Sequence, residues 1–451
     1  MKKQFIFGLL LLLPFSIKGQ EVLTLQNCRE MALKHNKQMA AAIKQTQGAR
    51  YMQKSFKGNF FPNFSAYGTD MYGTMDGTLS LPGGNLPVFV PIRPNFNLPI
   101  GFAYFPGIDL NLKMKNVFMA GVKMEQPIYM GGKILAAYNM SKLGVQASKL
   151  NERLTASEVI LETENAYALL VKANEMQKVA TTYNSLLKEL MKVVSSAHKH
   201  GLKPKNDVLK VLVKLNESEL AIRKAENACR LATMNLCHLI GLPLTQELQI
   251  DATYPHVAPL KGGEVSSISD RPEFAMLDKK VEISKQEVKL QRSELLPKIG
   301  VRGSYDYMNG LKVNDQKLFD KGSFSVMVNV SVPIFHFGER YNKVRASKMK
   351  LEQTRLEQAN LNEKMVLELT QAENNLDEAR LEADLADRSL DQATENQRVS
   401  KSQYEAGLET LSDHLEAQAL WQQAYATQVD AHFQLYLQHV KYLKASGRLV
   451  E

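Results

Sequence analysis

Pro127-Ile128-Tyr129, with Gly132 close behind, returns 206 positions later as Pro333-Ile334-Phe335 with Gly338. Gly201-Leu202 returns as Gly407-Leu408 at the same offset, and Asp207-Val208-Leu209 returns as Asp413-His414-Leu415. The spacing between the paired glycines, Gly132 to Gly201 and Gly338 to Gly407, is 69 residues in both copies. A long stretch held at one length describes two rods that must reach the same place, so the chain is read first as an internal repeat. A preceding block repeats at an offset of 235, with Asn36 answered by Arg271 and Pro62 by Pro297. The 29 extra residues of the first copy fall in Thr78–Lys113, whose six prolines and four glycines predict a long surface loop.

Between Glu339 and Ala406 there is neither glycine nor proline over 68 residues. As one helix, at ~1.5 Å per residue, that is a rod of roughly 100 Å. Within it Met365, Leu369, Ala372, Leu376, Ala379, Ala383, Ala386, Leu390 and Ala393 alternate spacings of four and three, a coiled-coil seam rich in alanine. Each long helix reaches a glycine turn, at Gly201 or Gly407, and a shorter helix returns. Ahead of the rods the period changes to two. Phe324, Val326, Val328, Val330, Val332 and Ile334 point one way; Ser325, Met327, Asn329 and Ser331 point the other. Phe118, Ala120, Val122, Met124 and Ile128 oppose Lys123 and Glu125. Strands of about ten residues with one apolar and one polar face suit a transmembrane barrel wall or a half-buried soluble sheet. Four strands close no barrel, and an open edge cannot face lipid. A membrane reading therefore needs several chains in closed symmetry.

Residues 1–19 read as a secretory signal, with Lys2-Lys3, a short apolar core from Phe5 to Leu13, and Gly19 at the cleavage point. Losing Lys2, Lys3 and Lys18 takes the net charge from +9 to +6, and bases alternate with acids along the helices, so nucleic acid is not an expected partner. Three cysteines, Cys28, Cys229 and Cys237, are too few for a disulfide framework, and Cys28 lacks a lipoprotein cleavage context. No nucleophile–base pair, phosphate loop or zinc helix is present, so no enzyme, cofactor or metal site is expected. The predicted organisation is a signal peptide at 1–19, a first repeat at 20–242, a connector at 243–269 and a second repeat at 270–451. The strands are expected near 63–75, 116–128, 297–308 and 323–335, and the helical hairpins over 133–240 and 339–446.

The duplicated order, the Pro-Ile-aromatic strand end, and the turns Gly-Leu-x4-Asp-Val-Leu and Tyr-x2-Gly-x5-Asp-x2-Glu-Ala resemble the TolC family of outer-membrane efflux proteins. So do Leu23-Thr24-Leu25, Ala32 and Asn36 at the start. The resemblance implies a mostly α protein with a small β part. Each protomer of a homotrimer would give four strands to one shared twelve-stranded β-barrel and its helices to a periplasmic coiled-coil barrel. It also implies outer-membrane lipid around the strands in a Gram-negative bacterium. A periplasmic adaptor (a membrane fusion protein) would meet the tips, and an inner-membrane pump or ABC exporter would deliver cargo.

By the same resemblance Asp413 and Glu416, three apart on one helix face, match the acidic rings that narrow the tunnel. Tyr404 and Asp207 match two members of the family's gate network. The family's arginine is replaced by Glu409, for which Lys203 or Lys205 could supply a charge-swapped partner. Gly201, Leu202, Gly407 and Leu408 are the expected adaptor contacts. The competing readings are a secreted or periplasmic coiled-coil structural protein without channel activity, and an envelope enzyme.

Overall fold

A computed structural model describes residues 22–93, 96–251, 254, 257, 268–317 and 321–449. The expected signal peptide lies outside the described residues, as does much of the 243–269 connector. Helices α1 (Leu25–His35) and α2 (Lys37–Gly58) lead into β1 (Asn63–Leu81), β2 (Gly84–Arg93), β3 (Phe96–Phe105) and β4 (Ile108–Met130). Then come α3 (Lys133–Lys199) and α4 (Lys205–Ile240). The second copy supplies α5 (Pro272–Arg292), β5 (Lys298–Val313), a short β6 (Gln316–Lys317), β7 (Gly322–Ser331), α6 (Glu339–Glu405) and α7 (Leu411–Ala445). Both long helices, α3 and α6, are 67 residues. The chain divides into two compact units. One gathers the described residues up to Gly48, Val145–Val281 and those from Arg355 on; the other gathers Ala49–Gly144 and Glu282–Thr354.

In the helical unit the alanine-rich seam of α6 is buried from Met365 through Ala386. Leu369, Ala372 and Leu376 pack with Tyr442 and Ala445 of α7, and Ala383 and Ala386 pack with Ala431. Small side chains at the contact let the two helices approach closely. A second core gathers Cys28 and Ala32 of α1, Val159, Tyr167 and Val171 of α3, and Leu236 and Ile240 of α4. Inside this helical mass Glu164 is fully buried, bonded to Arg29 and to the Tyr436 hydroxyl.

In the other unit the strands order β1–β4–β5–β7, all antiparallel, with β6 added to β5. The register aligns the faces. Phe64 stands opposite Met124, and Ala66 opposite Val122; Tyr305 lies between Val122 and Phe324, and Val301 opposite Val328. The same register sets Asp70 beside Phe118, on this otherwise apolar face. The other face carries a polar ladder across the strands. Arg302 pairs with Glu125 at 2.8 Å, and the Ser304 hydroxyl donates to Asp306 at 2.6 Å. The Tyr67 hydroxyl donates to Asp306 at 2.6 Å from two strands away, reaching over Gly121. A Cβ on Gly121 would lie 2.5 Å from the Asp306 carboxylate, so only glycine leaves that path open.

Three strands outrun their sequence bounds. The segment expected to be a long loop over Thr78–Lys113 is mostly strand: β1 and β4 stay paired to Leu81 and Ile108, and β2 pairs with β3 as a separate two-stranded sheet. The ladder breaks at Pro82-Gly83 and Pro106-Gly107, at one level in both strands. Neither proline has an N–H to give. A Cβ on Gly83 would sit 2.6 Å from the Gly107 nitrogen. Pro87, Pro91 and Pro99 are accommodated within the hairpin because in a two-stranded sheet every strand is an edge. β5 runs on to a turn at Asn314-Asp315, whose φ angles of 49° and 59° suit a tight hairpin. β7, by contrast, stops at Ser331, two residues before Pro333.

The strand-to-helix junction of the first copy depends on Gly131. Its φ is +64°, and a Cβ there would meet the Ser293 carbonyl at 2.4 Å. Nearby, Glu294 accepts from Lys298 at 2.7 Å and Lys133 at 3.0 Å. These two ammonium groups hold its carboxyl down at about 2. The packed junction binds the carboxylate form, so its contribution is complete above the ordinary glutamate range and is lost as pH falls toward about 2. Amide protection around 293–298 is expected to decline over that acid window in the native protein and to be insensitive to it in Glu294→Gln. An identical decline in the variant would assign the effect to other carboxylates.

Candidate functional site: the helical tips

Both hairpins turn in the same way. Gly201 and Gly407 adopt left-handed φ angles of +77° and +75°. The next residue's N–H returns to the carbonyl five back, Leu202 to Ala197 at 2.9 Å and Leu408 to Gln403 at 2.8 Å. In such helix ends the residue after the glycine usually packs back on the helix. Leu202 and Leu408 instead stand 76% and 81% exposed, on both tips.

After the turns the two copies diverge. Thr410 caps α7: its hydroxyl accepts from the Asp413 N–H at 3.3 Å and donates to the Asp413 carboxylate at 2.7 Å. An N-terminal capping pair of this kind contributes about 1 kcal/mol. Asp413 is therefore tied to its own helix start, while Glu416, one turn on, is exposed. The equivalent of Thr410 in the first copy is Pro204, which gives no side-chain cap, so Asp207 has no such partner.

Asp207 acts on Tyr404 instead. Burial first, and then the Asp207 charge, push the Tyr404 phenol above its ordinary range. Tyr404 packs with Leu190 and Val194 of α3, Val211 of α4 and Leu411 of α7, and so joins the two hairpins. The Lys203 ammonium lies over its ring, 5.1 Å from the centroid. Lys210 donates to the Ser412 hydroxyl at 3.0 Å, a second tie between hairpins. Glu409 occupies the position equivalent to Lys203, and its Oε2 is buried without a hydrogen-bond partner. The charge-swapped pairing expected of Lys203 or Lys205 with Glu409 is thus absent from the single protomer. Lys203 is spent on the tyrosine ring, and Lys205 is exposed.

Sequence reasoning gave His414 no part in this cluster. Its ring stacks on Tyr404, with centroids 5.1 Å apart and planes at 5°. Its Nδ1 meets the Ser400 hydroxyl at 3.0 Å, and its Nε2 meets the Gln418 side-chain nitrogen at 2.9 Å. The available signal was its spacing: Leu411, His414 and Gln418 follow the three–four step of a buried seam. Among the described residues no group of three or more His, Cys, Asp or Glu side chains is placed to hold a metal ion.

A sheet with one apolar face, two long helical hairpins and an internal duplication define a channel-type outer-membrane architecture. The chain belongs to the outer membrane efflux protein family, whose model matches residues 28–242 and 265–448. Similar solved structures include the Campylobacter jejuni CmeC outer membrane channel, with TM-score 0.74 and 21% identity over 94% of this chain and 86% of that one. The Vibrio cholerae outer membrane protein VceC gives TM-score 0.72 and 13% identity over 94% and 96%. The open state of the Neisseria gonorrhoeae MtrE outer membrane channel gives 0.72 and 16% over 94% and 89%. At these identities the likeness establishes the fold. The alkaline protease secretion protein AprF of Pseudomonas aeruginosa is 21% identical over 248 residues, 52% of this chain. The matched stretch spans about half the length of that relative, 50%.

Proposed function

We propose that three copies of this chain close one twelve-stranded barrel in the outer membrane and form a passive exit duct of a tripartite efflux or type I secretion system. An inner-membrane pump or ABC exporter delivers cargo through a periplasmic adaptor, and the chain itself makes and breaks no bond. The carrying observation is the sheet: β1 and β7 each pair on one side only, and Phe324, Val326, Val328 and Val330 are all exposed. Open edges and an uncovered apolar face are satisfied together when sister sheets continue the ladder in lipid. A soluble rod would leave both in water.

In this reading Leu202 and Leu408, with Gly201 and Gly407, meet the adaptor, which covers the apolar side chains the turns leave out. Asp413 and Glu416 of three copies line the narrow end, favouring cations and resisting anions. Tyr404, Asp207 and Lys203 hold the hairpins together at the closed throat. Family membership and the partial match to a protease secretion protein support the export reading.

The test is a covalent lock. With Asp207→Cys and Tyr404→Cys in a background where Cys28, Cys229 and Cys237 are alanine, oxidation is expected to abolish conductance in planar bilayers and export in cells. Reductant should restore both. A purified protein that is monomeric in aqueous buffer without detergent and conducts under neither condition would end the proposal.

A further inference from the structure

His414 is 3% exposed, yet its surroundings are only half satisfied. Gln418 presents nitrogen to it while the Gln418 Oε1 has no partner, and the Glu409 Oε2 is buried without one. A cavity of about 90 Å³ adjoins the ring, lined by Glu189 and Leu190 of α3, Lys401 and Tyr404 of α6, and Gln418 of α7. That is room for about three waters, at ~30 Å³ each. The charges that face His414 are mixed. Glu409 exerts the largest electrostatic pull, then Glu405; Lys401 opposes them, and Glu189 borders the cavity. Near the Tyr404 ring lie Lys203 and Asp207 of the other hairpin.

We propose that His414 is a proton-operated catch. As a neutral ring it holds Tyr404 and the α6–α7 turn packed; as an imidazolium it leaves that stack for the orphan carboxylate of Glu409 and loosens the tip. In the neutral ring one nitrogen donates and the other accepts, which suits a hydroxyl and an amide nitrogen. In the imidazolium both nitrogens donate, and the Gln418 nitrogen then opposes one of them. The unused acceptors at Gln418 Oε1 and Glu409 Oε2 are those the charged ring needs. A cation under Tyr404 would also face the Lys203 ammonium that already occupies the ring. Burial pushes the imidazole below its usual range against the pull of Glu409 and Glu405. The packed state therefore binds the proton less readily than the loosened one. Packing is complete above the ordinary histidine range and weakens as pH falls through it. The proton comes from the periplasmic solvent, and no covalent bond changes.

The consequence, a throat that widens in acid, rests on the duct reading; the catch itself is tested without it. Hydrogen exchange of peptides spanning 400–418 is followed in the full-length protein in lipid nanodiscs, at about pH 7.5 and about pH 5.5, corrected for intrinsic rates. Peptides from Val429–Val440 serve as the reference. The native tip is expected to exchange about three- to tenfold faster in acid relative to that reference. His414→Phe, which keeps a ring on Tyr404 but cannot titrate, and His414→Gln should both abolish the ratio. Glu409→Gln should shrink it by removing the negative charge that draws the imidazolium. A native ratio of one, or an equal acid response in both His414 variants, overturns the catch. Conductance recorded in parallel separates the two ideas: a channel silent at both pH values tells against the duct, while the exchange ratio still decides the catch.

Discussion

Val328→Arg is expected to remove the folded oligomer from the outer-membrane fraction, while Asn329→Arg, one residue on, leaves it in place. Val328 sits near the middle of β7, 64% exposed, opposite Val301 on the apolar face; Asn329 pairs with Gly300 on the other. A guanidinium on the lipid side of a barrel strand costs about 2–4 kcal/mol at mid-bilayer. Three copies would incur it at once. A polar lining tolerates the same group, since that face already carries Arg302 paired with Glu125. Two readouts check the result: heat-modifiable mobility of the assembled species, and its partition after outer-membrane fractionation. Equal assembly of the two variants would mean that the exposed valine face does not meet lipid. A reversed order, with the Asn329 variant lost, would turn the barrel inside out. The experiment is sharper than a loss-of-function screen because the substitutions share size, charge and strand and differ only in face.

The faces were legible because alternation of period two is unambiguous where Phe324, Val326, Val328 and Val330 are separated by small or polar residues. The 67-residue helices were legible for a similar reason: the three–four spacing from Met365 on is long and uninterrupted. Thr78–Lys113 differs from the loop its sequence predicts because Pro87, Pro91 and Pro99 sit within paired strands. In a two-stranded ladder they carry a different meaning, since half the N–H groups point outward and their loss breaks no bond. The tips were partly legible. The family resemblance marks Glu409, with Lys203 or Lys205 as its charge-swapped partner, but it does not show the Lys203 ammonium over the Tyr404 ring or the Glu409 oxygen without a partner. Asp413 carries a constriction role only through the family resemblance, which says nothing of its local bonding. Thr410, three residues before it, is the sequence signal for the capping box that ties Asp413 to its own helix start. Helix-end chemistry and through-space ring contacts depend on rotamers, which spacing alone does not determine.

The buried carboxylate in α3 poses a different problem, because no duplicate explains it. Position 370, the equivalent of Glu164 in the second copy, is a threonine that faces outward and bonds back to the Val366 carbonyl at 3.1 Å. Glu164 instead receives Arg29 of α1 on one oxygen and the Tyr436 hydroxyl of α7 on the other, joining three helices distant in sequence. Burial and the Glu164 charge push the Tyr436 phenol far above its usual range, so it remains a donor. Removing one partner of a buried ion pair costs about 3–5 kcal/mol. Arg29 is one-third exposed and can turn toward water, which places Glu164→Leu near the lower end, about 3 kcal/mol per protomer. The buried Tyr436 hydroxyl, left without an acceptor, supplies about 1–3 kcal/mol of that loss. Adding Tyr436→Phe and Arg29→Leu to Glu164→Leu should therefore recover most of the stability, since an apolar replacement of similar volume no longer strands a donor. Unfolding of a chain of 451 residues in detergent is expected to be irreversible, so the comparison is of apparent melting temperatures at one scan rate in one detergent. A single variant as stable as the native protein would show that the carboxylate is held by packing alone. A triple variant no better than the single one would show that the three polar groups contribute a net stabilisation hydrophobic packing cannot replace. The α1 docking site would then be electrostatic rather than apolar in origin.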